Sequence, residues 1–186
     1  MRGGREVFAA VSFELSEGEA LLLRGPNGSG KSSLLRMAAG LLPPAAGAFD
    51  WHGRPEGGAL CWVGHADAVK PALTVAENLA FWLGLEAGVA TDPLPALEAL
   101  GLAPVADLPA AYLSAGQRRR LNLARLAASP APLWLLDEPT VSLDEEAVAL
   151  LLSVVRGHLA RGGLAMVATH AALDLPSGEL RLGPAT

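Results

Sequence analysis

The chain reads as an α/β protein with a helical insertion. Three observations predict this. Two apolar stretches short enough for strands, ALLLR at residues 20–24 and LWLLD at 133–137, lack polar alternation, as parallel strands covered on both faces do. A glycine-rich turn joins the first of them directly to a helical pattern. Between about residues 66 and 130 strand signals are lacking, and helical segments alternate with glycine and proline breaks.

In chain order, strands are expected near 6–14 and 19–24, a helix near 31–40, and strands around 47–52 and 59–64. Pro43, Pro44 and Gly47 make the turn before the third strand. Thr74 and Glu77 form a capping box for the helix carrying AENLAFW. From Leu133 onward strand, helix and strand resume, the helix spanning roughly 145–161. At 186 residues without a linker-like stretch or an internal repeat, one domain is expected. Its α/β core comprises 1–65 and 131–186, and its helical subdomain 66–130.

Composition narrows the function classes. The longest run without a charged side chain, residues 37–49, contains two prolines and two glycines, well short of the roughly 18 apolar residues a bilayer span needs. No cationic start is followed by an apolar signal segment and a cleavage site, and the single Cys61 lies in an expected buried strand. A cytoplasmic address is expected. A net charge of −5 argues against broad electrostatic binding of nucleic acid. The Arg118–Arg119–Arg120 triplet reads by default as a solvated helix face.

Gly25, Gly30, Lys31 and Ser32 match G-x-x-x-x-G-K-[ST], the phosphate loop of P-loop NTPases, between strand and helix as the motif requires. A shuffled chain of this composition shows that pattern only roughly two or three times per thousand, so a plain glycine turn is the weaker reading. Glycines let successive N–H groups curl toward phosphate oxygens, and the helix start adds to the positive field. The loop residues Gly25, Pro26, Asn27, Gly28, Ser29, Gly30, Lys31, Ser32 and Ser33 are therefore the expected ATP contacts. Lys31 reaches the β- and γ-phosphates, and the Ser32 hydroxyl ligates Mg²⁺. In LWLLDEP the acids emerge at the carboxyl end of a strand, where open α/β sheets place ligands. Asp137 is expected to hold Mg²⁺ through water, and Glu138 to orient or deprotonate the attacking water.

YLSAGQRRRLNLARL, residues 112–126, supports two compatible readings. Ser114 and Gln117 form an S-x-x-Q capping box before a helix, and a capped helix start is itself an anion site. Tyr112 to Gln117 resembles the LSGGQ signature of ATP-binding cassette ATPases, with Ala115 in place of the first glycine. That family also has a D-loop matched by Ser142, Leu143 and Asp144, and a switch histidine matched by His170 in VATH. Ser142 with Glu145 alternatively reads as another capping box. The resemblance, in motif order from Gly25 to His170, implies an ABC-type nucleotide-binding domain that pairs head to tail into a homodimer on ATP binding. Ser114, Gly116 and Gln117 of one copy would then face the ATP of the other.

The family normally has a glutamine where the strand enters the helical insertion; here His65 stands at the end of CWVGH. A loop histidine is the bland alternative. The combination of GH, Lys70, LTVAENL and SAGQ resembles the haem-exporter ATP-binding subunits of cytochrome c maturation. What this implies is ATP hydrolysis serving integral membrane subunits, at the cytoplasmic face of the bacterial inner membrane. Haem is engaged only indirectly, since no haem-ligating motif is present. Rival readings are the ATPase of an exporter of drugs or polysaccharides, a soluble cassette ATPase acting on DNA or ribosomes, or a nucleotide-binding module without turnover. Family members begin with a further strand and usually an aromatic residue on adenine. Either Phe8 takes that place or the true start lies upstream.

Overall fold

The computed structural model describes residues 8, 11–51, 59–87 and 92–183. Their centre is a five-stranded sheet in the order β2-β3-β4-β1-β5, formed by β1 (Ala20–Arg24), β2 (Leu60–Val63), β3 (Leu133–Asp137), β4 (Leu164–Ala168) and β5 (Ser177–Arg181). Every pairing is parallel. Side chains alternate across the sheet, so each strand feeds two apolar layers. Trp134 and Leu136 of β3 enter one layer with Leu79 of helix α2 (Val75–Ala87), Leu97 of α3 (Leu94–Ala99), Leu123 of α4 (Ala115–Ala128) and Leu151 of α5 (Glu145–Ala160). Leu133 and Leu135 enter the other, with Leu34 and Leu35 of α1 (Lys31–Ala38). A sheet with helices on both faces explains why its strands are apolar throughout.

The expected elements at 19–24, 31–40, 59–64, 133–137 and 145–161 are present within a residue or two. The Thr74–Glu77 capping box has both halves: the Thr74 N–H donates to Glu77 Oε2 at 2.8 Å, and the Glu77 N–H to Thr74 Oγ1 at 3.1 Å. Between residues 66 and 130 the described residues form helices, two 3₁₀ turns and a single isolated bridge, Thr74 to Pro109.

Three expectations are corrected. The strand at 6–14 is not formed in its described part, residues 8 and 11–14, nor is the strand at 47–52 over residues 47–51; the remainder lies outside the described residues. The period-two pattern there is real: Val11, Phe13 and Leu15 are half-buried against the same apolar layer as Phe49 and Trp51, with the Phe13 and Phe49 rings 6.1 Å apart. Both sides of β1 are already taken by β4 and β5, so this segment packs through side chains without joining the ladder. Second, Ser142 does not cap α5: the helix begins after Asp144, whose carboxylate accepts the Ala147 N–H at 2.8 Å. Third, Arg119 is not solvated; it is 3% exposed, whereas Arg118 is exposed and Arg120 half-buried. In addition β5, SGELR, carries no apolar signal and was not foreseen.

Candidate functional site

Parallel strands place their carboxyl ends on one edge, and the phosphate loop forms there. Gly25 leaves β1 at φ 142°, and a Cβ added to it would lie 2.2 Å from the Leu182 carbonyl oxygen, so only glycine fits. Gly30, at φ 98°, sits at the start of α1 and provides no side-chain cap. The first N–H groups of α1 are thus left to a ligand.

The loop opens into a cleft of about 270 Å³ lined by Asn27, Gly28, Ser29, Gly30, Lys31, Ser32 and Ser33, together with His65, Asp137 and Glu138. Lys31 Nζ donates to the Gly25 carbonyl at 2.8 Å and the Pro26 carbonyl at 3.4 Å, and stands 3.0 Å from His170 Nε2. That same Nε2 is 3.1 Å from Asn27 Oδ1 and 3.4 Å from Glu138 Oε1. One ring nitrogen cannot accept from Lys31 and donate to Asn27 or Glu138 at once, so the cluster has alternative proton placements. Ser32 Oγ donates to Asp137 Oδ1 at 3.0 Å, although 105 residues separate them. A hydroxyl beside a carboxylate, both oxygen donors and next to a phosphate-shaped loop, fits a Mg²⁺ that keeps its remaining positions for water and phosphate. Ser29 Oγ, buried in this loop, has no hydrogen-bond partner among the described residues, as a group left for a nucleotide would be.

Glu138 has φ +49°, a left-handed conformation that costs a non-glycine residue about 1–3 kcal/mol and persists only where surroundings enforce it. Its N–H donates to the Ala168 carbonyl at 2.8 Å, tying it to β4. The turn aims its carboxylate at His170 rather than back along β3.

His65, at the end of β2, is therefore a cleft residue and not a remote loop histidine. Ser114, Gly116 and Gln117 lie outside this cleft. They build the start of α4: Ser114 Oγ accepts the Gln117 N–H at 3.1 Å, and Gln117 Oε1 accepts the Ser114 N–H at 2.9 Å. A Cβ on Gly116 would stand 3.0 Å from the Ser142 carbonyl oxygen, so the signature turn and the SLD segment touch within one chain. Phe8 packs against the apolar layer of α1 and does not line the cleft.

A family model described as ABC transporter matches residues 8–141. The chain belongs to the ABC transporter family. Among curated ABC transporter relatives it is 51% identical to the cytochrome c biogenesis ATP-binding export protein of Rhodopseudomonas palustris, over 100% of this chain and 94% of the relative. The protein of the same name from Rhodospirillum rubrum is 53% identical over 97% of this chain and 80% of that one. Among solved structures, a putative ABC transporter ATP-binding protein from Pyrococcus furiosus superposes with a TM-score of 0.86 at 24% identity, covering 96% of this chain and 92% of that one, which shows the fold. A dimeric post-hydrolysis ATP-binding cassette bound to ADP and Pi gives 0.78 at 25% identity, covering 92% of this chain and 84% of that one.

Arg119 is the site residue that sequence reasoning missed. Its guanidinium reaches the backbone of both strand ends that border the cleft, including the Glu138 carbonyl at 2.8 Å and the Gly64 carbonyl at 2.9 Å. The available signal was its spacing: residues 119, 123 and 126 share one face of the helix, and Leu123 and Leu126 are core residues.

Proposed function

We propose that this chain is the ATP-hydrolysing subunit of a membrane ABC transporter, the haem exporter of cytochrome c-type biogenesis. The observation that carries the reading is the identity of 51–53%, over nearly the whole chain, to relatives named cytochrome c biogenesis ATP-binding export proteins. The cleft supplies the chemistry. Loop N–H groups and Lys31 hold the phosphates, and Lys31 turns outward from the loop carbonyls it now contacts. Ser32 and Asp137 would hold Mg²⁺, which screens the charge that develops on the phosphate oxygens. Glu138 takes the proton of the attacking water, and His170, 3.4 Å away, orients that carboxylate and the phosphate end. His65 senses the same end of the nucleotide through an acceptor nitrogen and a donor, where the wider family normally has a glutamine amide.

Ser114, Gly116 and Gln117 act on the ATP of a second copy in a head-to-tail homodimer. Their place at a capped helix start outside the chain's own phosphate-loop cleft, with Ser114 exposed, favours this, as does the dimeric state named for one structural neighbour. The helical subdomain, 66–130, docks onto integral membrane subunits, and the protein sits peripherally at the cytoplasmic face of the inner membrane. No described helix is long and apolar enough to cross a bilayer. Haem is then moved or released by the membrane subunits rather than bound here.

The test is ATP binding and turnover of three proteins, wild type, Lys31→Ala and Glu138→Gln, with capture of the membrane subunits by the tagged wild type. Lys31→Ala should lose binding, while Glu138→Gln should bind ATP and hydrolyse it about 10²–10⁴-fold more slowly. Near-normal turnover by Glu138→Gln would overturn the reading.

A further inference from the structure

The geometry points to Arg119 as a positioning residue of the hydrolytic site: it fixes the diverging ends of β2 and β3 so that His65 and Glu138 face the phosphate-loop cleft, and it makes their placement depend on α4. This role presupposes the hydrolytic reading of the cleft.

The ladder between β2 and β3 ends at the pair Val63 and Leu136. Immediately beyond it the strands are joined by the guanidinium instead of by each other. Nη1 donates to the Gly64 carbonyl at 2.9 Å and the His65 carbonyl at 3.4 Å, on the β2 side. On the β3 side Nη2 donates to the carbonyls of Asp137, 3.2 Å, and Glu138, 2.8 Å, and Nε to that of Pro139, 3.3 Å. Nη1 also pairs with Asp67 Oδ1 at 3.1 Å, which supplies the countercharge. Arginine's five N–H groups spread in a rigid plane, and here every one of its nitrogens has an acceptor. Lysine, a point charge with three donors, cannot bridge both strand ends in this way.

The consequence falls on Glu138. Its backbone is held from opposite sides, the N–H by Ala168 of β4 and the carbonyl by Arg119 at 2.8 Å, with a longer bond from the Val141 N–H at 3.4 Å. These are the surroundings that enforce its left-handed backbone. Without the guanidinium, the carbonyls of three consecutive residues at the end of β3 lose a donor, and Glu138 keeps only its bond to Ala168 and the longer one from Val141 against the strain of its backbone, so its carboxylate moves off its place. Arg119 also stands on the second turn of α4, the helix that Ser114 caps. A displacement of α4, when a second copy's nucleotide engages its start, is thereby passed rigidly to Glu138 and His65.

The experiment measures ATP affinity and steady-state turnover of the full chain for Arg119→Lys and Asp67→Asn, each alone and combined with Glu138→Gln, with Lys31→Ala as a control. Arg119→Lys should lower kcat by about 10²-fold, the cost of a misplaced reacting group, with KM and ATP affinity near wild type. Asp67→Asn leaves the guanidinium in place without its countercharge, and should lower kcat by about three- to tenfold. Without the membrane subunits that His65 answers to, both act through Glu138, so neither should slow single turnover further in the Glu138→Gln background. A general loss of stability would instead multiply with Glu138→Gln and weaken ATP binding as well. Full kcat in Arg119→Lys, or losses that multiply, overturns the role. If Arg119→Lys does not fold, Asp67→Asn decides alone, an unchanged kcat overturning it. Turnover that survives Lys31→Ala overturns the hydrolytic reading and this role with it. Turnover lost in Lys31→Ala but intact in Arg119→Lys overturns the role of Arg119 only.

Discussion

At Gly25 a single hydrogen atom decides whether the loop exists. An added Cβ would stand 2.2 Å from the Leu182 carbonyl oxygen and 2.7 Å from Ser29 Oγ, at a φ of 142° that other residues rarely adopt. Gly25→Ala should therefore lose ATP affinity by more than tenfold, about 1.4 kcal/mol, as the loop shifts off its phosphate-binding shape. Calorimetric titration with ATP checks this, and wild-type affinity would show that the loop has slack. His65 poses the opposite case, a side chain exposed at the cleft rim and not demanded by packing. His65→Gln should keep turnover stimulated by the membrane subunits, and His65→Ala should bind ATP but lose the stimulation. The comparison needs the reconstituted complex, and a stimulated His65→Ala protein refutes the sensing role.

Helices α4 and α5 carry predictions of their own. The capping box of α4 has both hydrogen bonds in place, so Ser114→Ala should cost about 0.5–2 kcal/mol. For a chain of this size that is a fall in Tm of roughly 2–4 °C per kcal/mol, readable by calorimetry. On α5, His158 is buried with its ring stacked on Trp134, centroids 3.7 Å apart, and its Nε2 lies 3.2 Å from the Leu164 carbonyl oxygen. Burial, its largest influence, holds its pKa below 6.5; nearby Arg161 adds to this, and the Leu164 and Pro132 carbonyls oppose it. The unfolded chain thus takes up this proton before the folded one, so the contribution is whole above about pH 6.5 and drains away as pH falls below it. Urea midpoints from pH 7.5 to 5.5 should decline in wild type and less in His158→Phe, which keeps the stacked ring. Equal declines would exclude His158 as the cause. These two helices also show what was legible locally. The Ser114–Gln117 box was readable because N-cap chemistry is complete within four residues, whereas the competing Ser142–Glu145 box failed because Ser142 is at φ +67°, packed against the signature turn.

At the scale of the whole molecule the cleft is only half of the proposed site. Ser114→Arg should bind ATP as wild type does yet not hydrolyse it, because the block falls on the partner copy's nucleotide. Lys31→Ala should fail by itself for lack of binding. Mixed in equal amounts, the two inactive proteins should recover up to about a quarter of wild-type turnover, since half the dimers are mixed and each has one intact site of two. No recovery, together with lost ATP affinity in Ser114→Arg, would place the signature turn in its own chain's site.

What the sequence by itself determined are the features whose chemistry closes within a few residues: the phosphate loop from Gly25 to Ser32, the Asp137–Glu138 strand end, and the caps at Thr74 and Ser114. There the backbone geometry, the donors and the side chain are all specified by local spacing. Tertiary structure decided the rest. The order β2-β3-β4-β1-β5 brings Ser32 against Asp137. The polar SGELR becomes a strand only because β1 offers it an open edge of N–H and C=O groups. Of three adjacent arginines, only Arg119 is fully buried, where the end of the β2–β3 ladder presents five carbonyl oxygens to its donors. A buried polar group must find its partner, and the partners here stand as far as 55 residues away in sequence, where no local pattern can reveal them.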